Sequence, residues 1–395
     1  MTTKFVEVTL AHKYRETLPD GSISGGPMYY IENGLNMKWL AILFSVCLLL
    51  MCLGTGNMPQ ISSIAVVMND TFNIPKIVTG AVLASLLWMV IIGGIKRIAQ
   101  IASKLVPFMA FWYLVGSFAV IISNYENIIP SLQSIFIHVF TPTAAVGGFL
   151  GASVAAALTR GVNRGLYSNE AGQGSAPIAH ASSKTENPIE EGMVSILEPF
   201  IDTIIICTIT GLVILSSGVW TEKFENKFEE SSMCYLDGSY LETNNEDVEI
   251  LQEYILSCSG SETYTGKEEV VDGIIQNSSL TLMHNRSVSE NVSYSKDGIP
   301  FTGMIEINEG KLETDNIDVQ GSSLLLGADL TGKAFSRSVF GEFGQYIVAI
   351  GLLLFAFSTA IAWSYYGDRA TVHLFGEGWI FYYRVIYVGA FFTAA

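Results

Sequence analysis

Charged residues are scarce in this sequence, and the shortage excludes whole classes of protein. They make up 15% of the 395 residues, against 50% for hydrophobic residues, and the mean hydropathy is +0.40. Ordinary water-soluble domains are less apolar than this. With a formal net charge of −16, the chain also lacks the basic excess that would indicate a nucleic-acid partner. The composition therefore indicates a membrane protein.

Enzyme motifs are the second absence. The sequence contains no HExxH, no GxSxG and no cluster of Cys and His at metal-ligand spacing. It therefore offers neither a familiar catalytic nucleophile nor a familiar metal centre. We expect a protein that is not an enzyme, with no catalytic residues and no resident cofactor or metal.

Cysteine is also rare, with five residues in the chain. Cys47, Cys52 and Cys207 lie in apolar stretches, which is typical of packing residues. Cys234 and Cys258 lie in an acidic segment and are close enough in sequence to form a disulfide. They would do so if that segment faces an oxidising compartment and would remain free thiols if it does not.

The negative charge is concentrated in that acidic segment. Residues 221–335 hold 22 of the 37 acidic residues and 7 of the 21 basic ones, so the rest of the chain is nearly neutral. Runs such as GMIEINEG and YTGKEEVV alternate in the manner of short strands. We expect a small soluble insert, β-rich or partly disordered, between membrane parts at 1–220 and 336–395.

Apolar stretches long enough to cross a lipid bilayer occupy both flanking parts. A spanning helix needs about 20 mostly apolar residues, and such stretches occur at 39–68, 77–94, 105–123, 193–218, 343–366 and from 379 onward. Lys and Arg accumulate on the cytoplasmic side of membranes. Here they fall in alternate loops, at 12–15, 96–104, Lys184 and Arg369. We expect an all-α protein that crosses the cell membrane several times, with the acidic insert outside.

Two of the apolar regions are interrupted by glycine and polar residues. One interruption is GTGNMPQ at 54–60, and the other is GVNRGLYSNEAGQGSAPIAH at 161–180, with glycines at 161, 165, 172 and 174. Irregular backbone survives at membrane depth only where protein or water receives its polar groups. Transporters use discontinuous helices to bind cations and substrates, so both breaks are candidate binding sites. For 161–180, a cytoplasmic loop after a complete span is the alternative.

Polar side chains near these breaks have two interpretations. Arg164 and Glu170 can form a structural ion pair across the second break, since unpaired charges are costly in lipid, or they can contact a substrate. The hydroxyls of Ser358 and Thr359 can line a site, or they can bond the carbonyl one turn back in their helix. Trp363 lies four residues beyond Thr359 and therefore on the same helix face.

Two rival functions are open at this point. A membrane-anchored receptor would bind its ligand with the outer acidic domain, but its spans would need no breaks. A proton-driven carrier would use a titratable carboxylate in its core, and Glu170 and Glu198 are the candidates near the spans.

Four blocks of the sequence resemble the alanine or glycine:cation symporters, which are sodium-coupled amino-acid carriers. They are GGPMYYIENGL, GGIKRIAQIASKLVPFMA, RGLYSNEAGQGSAP and LLLFAFSTAIAWSYYG, in the family's order. The resemblance covers nearly everything except the insert. It implies a secondary transporter in membrane lipid that carries a small neutral amino acid together with a sodium ion.

The resemblance also implies a fold and a site. The fold is the leucine-transporter type with two inverted repeats, here incomplete, because the chain would begin within the family's third helix and end before its last. The substrate contacts that carry over are Asn57, Gln60, Gly165, Leu166, Thr359 and Trp363. The sodium contacts are Ser358 and Thr359. A Trp in the side-chain pocket leaves little volume, which favours alanine, glycine or serine.

Overall fold

A computed structural model describes residues 1–19, 21–140, 154–254, 258, 260–277, 279–314 and 316–395. The chain forms two compact units. The first comprises Met1–Ile122, Gly161–Gly211 and Phe335–Ala395, and the second comprises Ser123–Arg160 and Leu212–Ala334.

Helices dominate the first unit. Along the whole described chain the α-helices are α1 (Thr2–Lys13), α2 (Pro27–Leu35), α3 (Lys38–Gly54), α4 (Met58–Phe72), α5 (Lys76–Ile91), α6 (Gly94–Ser123), α7 (Ile128–Phe140), α8 (Val154–Asn169), α9 (Ala176–His180), α10 (Pro188–Ser195), α11 (Leu197–Pro199), α12 (Cys207–Ser217), α13 (Asn245–Tyr254), α14 (Gly327–Ser336), α15 (Gly344–Phe375) and α16 (Ile380–Thr393). A π-helix, Phe200–Ile206, lies between α11 and α12.

Four helical stretches in the described part of the chain are long and apolar enough to cross a membrane. They are Lys38–Phe72, Gly94–Ser123, Pro188–Ser217 and Gly341–Phe375, with Lys76–Ile91 as a shorter apolar helix. The expectation of a mostly helical membrane protein is therefore confirmed. Between 17% and 28% of the apolar window is buried in the first three stretches, against 50% in the fourth. The fourth contains α15, which contacts α3, α4, α5, α9 and α16 and is the central helix of the first unit.

Small residues let the neighbours of α15 approach it closely. Ala356 and Ala360 are buried on α15, and a Cβ atom on Gly367 would overlap the ring of Tyr383 on α16. Helix pairs in membranes rely on such close backbone approach, because burial of apolar surface gives little driving force between helices that already lie in lipid.

The second unit contains most of the strands. They are β3 (Lys223–Phe228), β4 (Met233–Asp237), β5 (Gly266–Val271), β6 (Ile274–Ile275), β7 (Leu280–His284), β8 (Ser287–Val288), β9 (Glu290–Lys296), β10 (Ile299–Pro300), β11 (Gly303–Asn308), β12 (Lys311–Leu312) and β13 (Asp318–Leu324). They form three antiparallel sheets with strand orders β10-β9-β13-β3, β12-β11-β5-β6 and β4-β7-β8. The first unit has one short hairpin, β1 (Glu16–Thr17) with β2 (Ile23–Ser24).

Period-two alternation explains why these runs form strands. In β11, Ile305 and Ile307 are buried while Met304 and Glu306 are exposed, so one face of the sheet is apolar and the other is solvated. The GMIEINEG run therefore forms the strand expected of it. Its apolar face joins a core that includes the buried rings of Tyr235 and Tyr294.

Cys234 of β4 and Cys258 form a disulfide with a Cα–Cα distance of 5.5 Å. Cys234 packs in a second small core with Leu236 of the same strand and Leu251 of α13. The bridge therefore ties the segment after α13 to the sheet that contains β4.

Candidate functional site

The first helix break lies between α3 and α4, at Thr55–Asn57. The amides of Thr55 and Gly56 both donate to the carbonyl of Met51, at 2.9 and 3.2 Å, so the regular ladder of α3 ends there. Helix α4 then starts with Pro59 in its first turn, where a residue without an amide hydrogen is tolerated. The structure thus contains the interruption expected within 54–60.

Asn57 is fully buried in this break and fastens it to α16. Its Nδ2 atom donates to the carbonyl of Tyr387 at 2.8 Å, and the Tyr387 hydroxyl donates to the carbonyl of Ala360 on α15, also at 2.8 Å. Among the described residues, Asn57 Oδ1 has no hydrogen-bond partner. A buried acceptor without a donor is costly, so this oxygen is suited to receive a cation or an ammonium group.

Gly56 brings the first break against α15. A Cβ atom at Gly56 would overlap the indole of Trp363, and Trp363 is 4% exposed. The indole also packs edge-on against Tyr366, with ring centroids 5.5 Å apart. Only a glycine allows this close approach of backbone to ring.

The second break comprises residues 170–175, between α8 and α9. Glu170, Gly172 and Gly174 have φ angles of 53°, 86° and 76°, in the left-handed region that ends a right-handed helix. Gly174 is sterically confined as well, because a Cβ atom there would lie 2.7 Å from Cγ of Pro27.

Gly161 and Gly165 do not take part in this break. Helix α8 continues through both of them to Asn169, so the expectation that they unwind the helix is wrong. A single glycine inside a helix costs only about 1 kcal/mol, so neither glycine is enough to end α8. The helix therefore persists until residues with positive φ force it to end.

Glu170 connects the second break to Trp363. Its Oε2 atom accepts a hydrogen bond from the Ser175 hydroxyl at 2.7 Å, and its carboxylate interacts with the Trp363 side chain. Trp363 therefore lies beside both breaks, against Gly56 in the first and Glu170 in the second.

The described residues contain no ion pair between Arg164 and Glu170. Arg164 is exposed on α8, and the buried cation at the break is instead Lys4 of α1. The Lys4 Nζ atom lies 3.0 Å from Glu198 Oε2 and 3.0 Å from the carbonyl of Asn169, the last residue of α8. Sequence reasoning missed Lys4 because its partners are more than 160 positions away.

Gln60, Ser358 and Thr359 form bonds to backbone carbonyls. Gln60 Nε2 donates to the carbonyl of Thr55 at 3.4 Å, which places it at the first break. Ser358 and Thr359 donate to the carbonyl of Phe355 at 2.8 and 3.0 Å, the arrangement that the sequence left as an alternative. A hydroxyl that donates keeps oxygen lone pairs, which sodium can use.

Gly165 and Leu166 lie apart from these residues. The Leu166 side chain is 48% exposed, and a Cβ atom on Gly165 would have no neighbour within 4 Å. The structure therefore does not bring these two residues of α8 to Trp363.

An ion pair that the sequence analysis did not predict connects α15 to α16. Arg384 Nη2 lies 2.5 Å from Asp368 Oδ2, and Arg384 Nε donates to both carboxylate oxygens at 3.1 and 3.2 Å. The side chain of Asp368 is 2% exposed and that of Arg384 13%. Because α15 contains Ser358, Thr359 and Trp363, this pair helps to fix the helix on which most of the candidate site lies.

Two interrupted helices that meet a buried aromatic side chain, among several apolar spans, define a class of protein. Secondary transporters place such breaks at the site where ions and small solutes bind. Within that class, the chain belongs to the sodium:alanine symporter family, whose model matches residues 1–236 and 302–395. The unmatched residues, 237–301, lie in the acidic insert.

Similar proteins have been named in bacteria and archaea. The chain is 33% identical, over 98% of its length, to an uncharacterized transporter of Haemophilus influenzae. It is 31% identical over its whole length to the sodium/alanine symporter AgcS of Methanococcus maripaludis. It is 40% identical over 55% of its length to the putative sodium/proton-dependent alanine carrier protein YrbD of Bacillus subtilis. It spans 63%, 65% and 44% of these three proteins.

Proposed function

We propose that the protein is a sodium-coupled symporter of small neutral amino acids, such as alanine or glycine, and that it works by alternating access in the cell membrane. The observation that carries this proposal is the position of Trp363, which is buried and lies beside Gly56 of the first break and Glu170 of the second. Family membership supports sodium as the coupling ion. The printed name of the M. maripaludis relative supports alanine as a substrate.

The substrate pocket in this proposal lies around Trp363. Asn57 Oδ1, buried and without a partner in the described chain, is the acceptor for the ammonium group, and Gln60 and Thr359 supply further polar contacts. The indole of Trp363 limits the volume for the substrate side chain, which is why we propose alanine or glycine in preference to larger residues. Gly165 and Leu166 remain proposed contacts that require α8 to move towards α15.

Sodium is proposed to bind the hydroxyl oxygens of Ser358 and Thr359, since hard cations prefer oxygen ligands. Its binding would order the unwound backbone near the pocket and so raise affinity for the amino acid. By linkage, the amino acid raises affinity for sodium by the same factor, and such coupling is typically about 1–3 kcal/mol.

The finer architecture is also a proposal. We assign the helices to a leucine-transporter-type fold of two inverted repeats, because that fold places discontinuous helices at its binding site. We place the second unit's strands on the outer face of the membrane. The alternation of basic loops and the Cys234–Cys258 disulfide support this side, since disulfides persist in oxidising compartments.

Uptake of radiolabelled alanine into proteoliposomes tests the proposal. An inward sodium gradient should drive accumulation, while a pH gradient at equal sodium should not. Equal uptake with and without the sodium gradient would contradict it. Accumulation driven by the pH gradient alone would favour a proton-coupled carrier, for which Glu170 and Glu198 are the candidate carboxylates.

A further inference from the structure

Helix α1 presents a buried charge to the end of α8. Lys4 is 0% exposed, and its ammonium donates to the carbonyl of Asn169 at 3.0 Å. The C-terminal end of a helix carries partial negative charge on its unpaired carbonyls, so an ammonium group stabilises it. Glu198, at 3.0 Å, balances the charge of Lys4.

Glu7, one helical turn after Lys4 on α1, contacts the same break. Glu7 Oε2 accepts a hydrogen bond from the amide of Gly172 at 3.1 Å. Residues three apart share a helix face, so Lys4 and Glu7 contact the break together. One of them binds the carbonyl before the left-handed residues, and the other binds an amide among them.

Glu198 extends this set of contacts to α9. His180, the last residue of α9, lies 3.5 Å from Glu198 Oε2 through its Nε2 atom and 2.6 Å from Glu191 Oε1 through its Nδ1 atom. Both helices that flank the break are therefore held at their ends, α8 by Lys4 and α9 by His180. Glu198 is common to the two.

We infer that Lys4 and Glu7 are positioning residues for ligand binding at the pocket around Trp363, and that they act through the second break. They touch no proposed ligand atom. They hold the turn at 170–175 in the conformation that places Glu170 beside Trp363. The binding role rests on the proposed function, whereas the bracing of the backbone does not.

Hydrogen exchange tests the brace without any transport assay. In the purified protein, Glu7→Ala should speed exchange of the Gly172 amide by about tenfold or more, since hydrogen bonds to charged groups are the stronger class. Lys13→Met is the matched control, because Lys13 is exposed on the same helix and contacts only the ring of Tyr14 among the described residues. Unchanged exchange at Gly172 in Glu7→Ala would overturn the brace.

Kinetics test the positioning role. Lys4→Met leaves the Glu198 carboxylate without its ammonium partner. A loss of stability in this variant therefore cannot separate a positioning role from a structural one. The double variant Lys4→Met/Glu198→Gln removes the unpaired charge but still lacks the donor to Asn169. We expect both variants to raise the KM for alanine about tenfold, with a smaller change in maximal rate per folded protein, and Lys13→Met to match the wild type.

Two outcomes separate this inference from the proposed function. If the double variant regains both stability and the wild-type KM, Lys4 only stabilises the fold, and the inference is wrong while sodium-coupled transport stands. If the wild type shows no sodium-dependent uptake, the proposed function and the binding role of Lys4 and Glu7 fail. The Gly172 exchange result still decides the brace.

Discussion

Replacing Arg384 by Met isolates the ion pair that joins α15 to α16. The change leaves the Asp368 carboxylate, 2% exposed, without its three short contacts from the guanidinium. Removing one member of a buried pair typically costs about 3–5 kcal/mol, because the remaining charge is desolvated and unpaired. We expect Arg384→Met to fall in this range, which corresponds to a drop of roughly 10 °C in Tm.

A double-mutant cycle measures the interaction free energy between Asp368 and Arg384. Asp368→Asn should cost less than Arg384→Met, because Arg384 is 13% exposed and can turn towards water. The double variant Asp368→Asn/Arg384→Met removes both charges of this pair, so its loss should be well below the sum of the two single losses.

The buried thiol of Cys52 provides the assay. It lies beside Tyr383 of α16, so its reaction with a fluorescent maleimide during heating reports on opening of this region. The exposed Cys47 and Cys207 would first be changed to Ser to remove background labelling. Additive losses in the double variant would refute the view that the two charges compensate each other.

Three further predictions concern the pocket and the insert. Trp363→Ala should admit amino acids larger than alanine in competition assays, and unchanged selectivity would contradict the pocket assignment. Denatured protein should show three reactive thiols before reduction and five after it, and Cys258→Ser should destabilise the insert by about 3–4 kcal/mol, from a separation of 24 residues. Five reactive thiols before reduction would exclude the bridge to Cys234. Burial lowers the pKa of His284 from 6.5 to about 4, so the folded insert favours the neutral ring. The free energy of unfolding of the insert should be highest above pH 6.5 and fall by on the order of 3 kcal/mol as the pH drops towards 4. Hydrogen exchange of the strand amides, corrected for intrinsic rates, measures this loss, and a pH-independent stability would contradict it.

The sequence predicts the positions of the two breaks better than it predicts the side chains that hold them. Gly, Pro and Asn inside an apolar run are local signals, because they act on the backbone at their own positions. They located the first break, at Thr55–Asn57. They also located the second, although α8 continues through Gly161 and Gly165, since a lone glycine weakens a helix by only about 1 kcal/mol.

The side chains that hold the breaks depend on contacts between distant parts of the chain. Lys4 binds a carbonyl 165 positions away, and Asn57 binds one 330 positions away. No periodicity or local motif records such pairings. Arg164 was the nearest cation to Glu170 in sequence, but the fold places Lys4 at the break instead, because α1 packs against α9 and α10.

The central claim is that the first break and Trp363 form one binding site, and a pair of glycine variants tests it most directly. A Cβ atom at Gly56 would overlap Trp363, whereas one at Gly54 would have no neighbour within 4 Å. Equilibrium binding of alanine to the purified protein should depend on sodium, should weaken at least about tenfold in Gly56→Ala, and should be unchanged in Gly54→Ala. Equal affinities in the two variants, or wild-type binding that ignores sodium, would contradict the account.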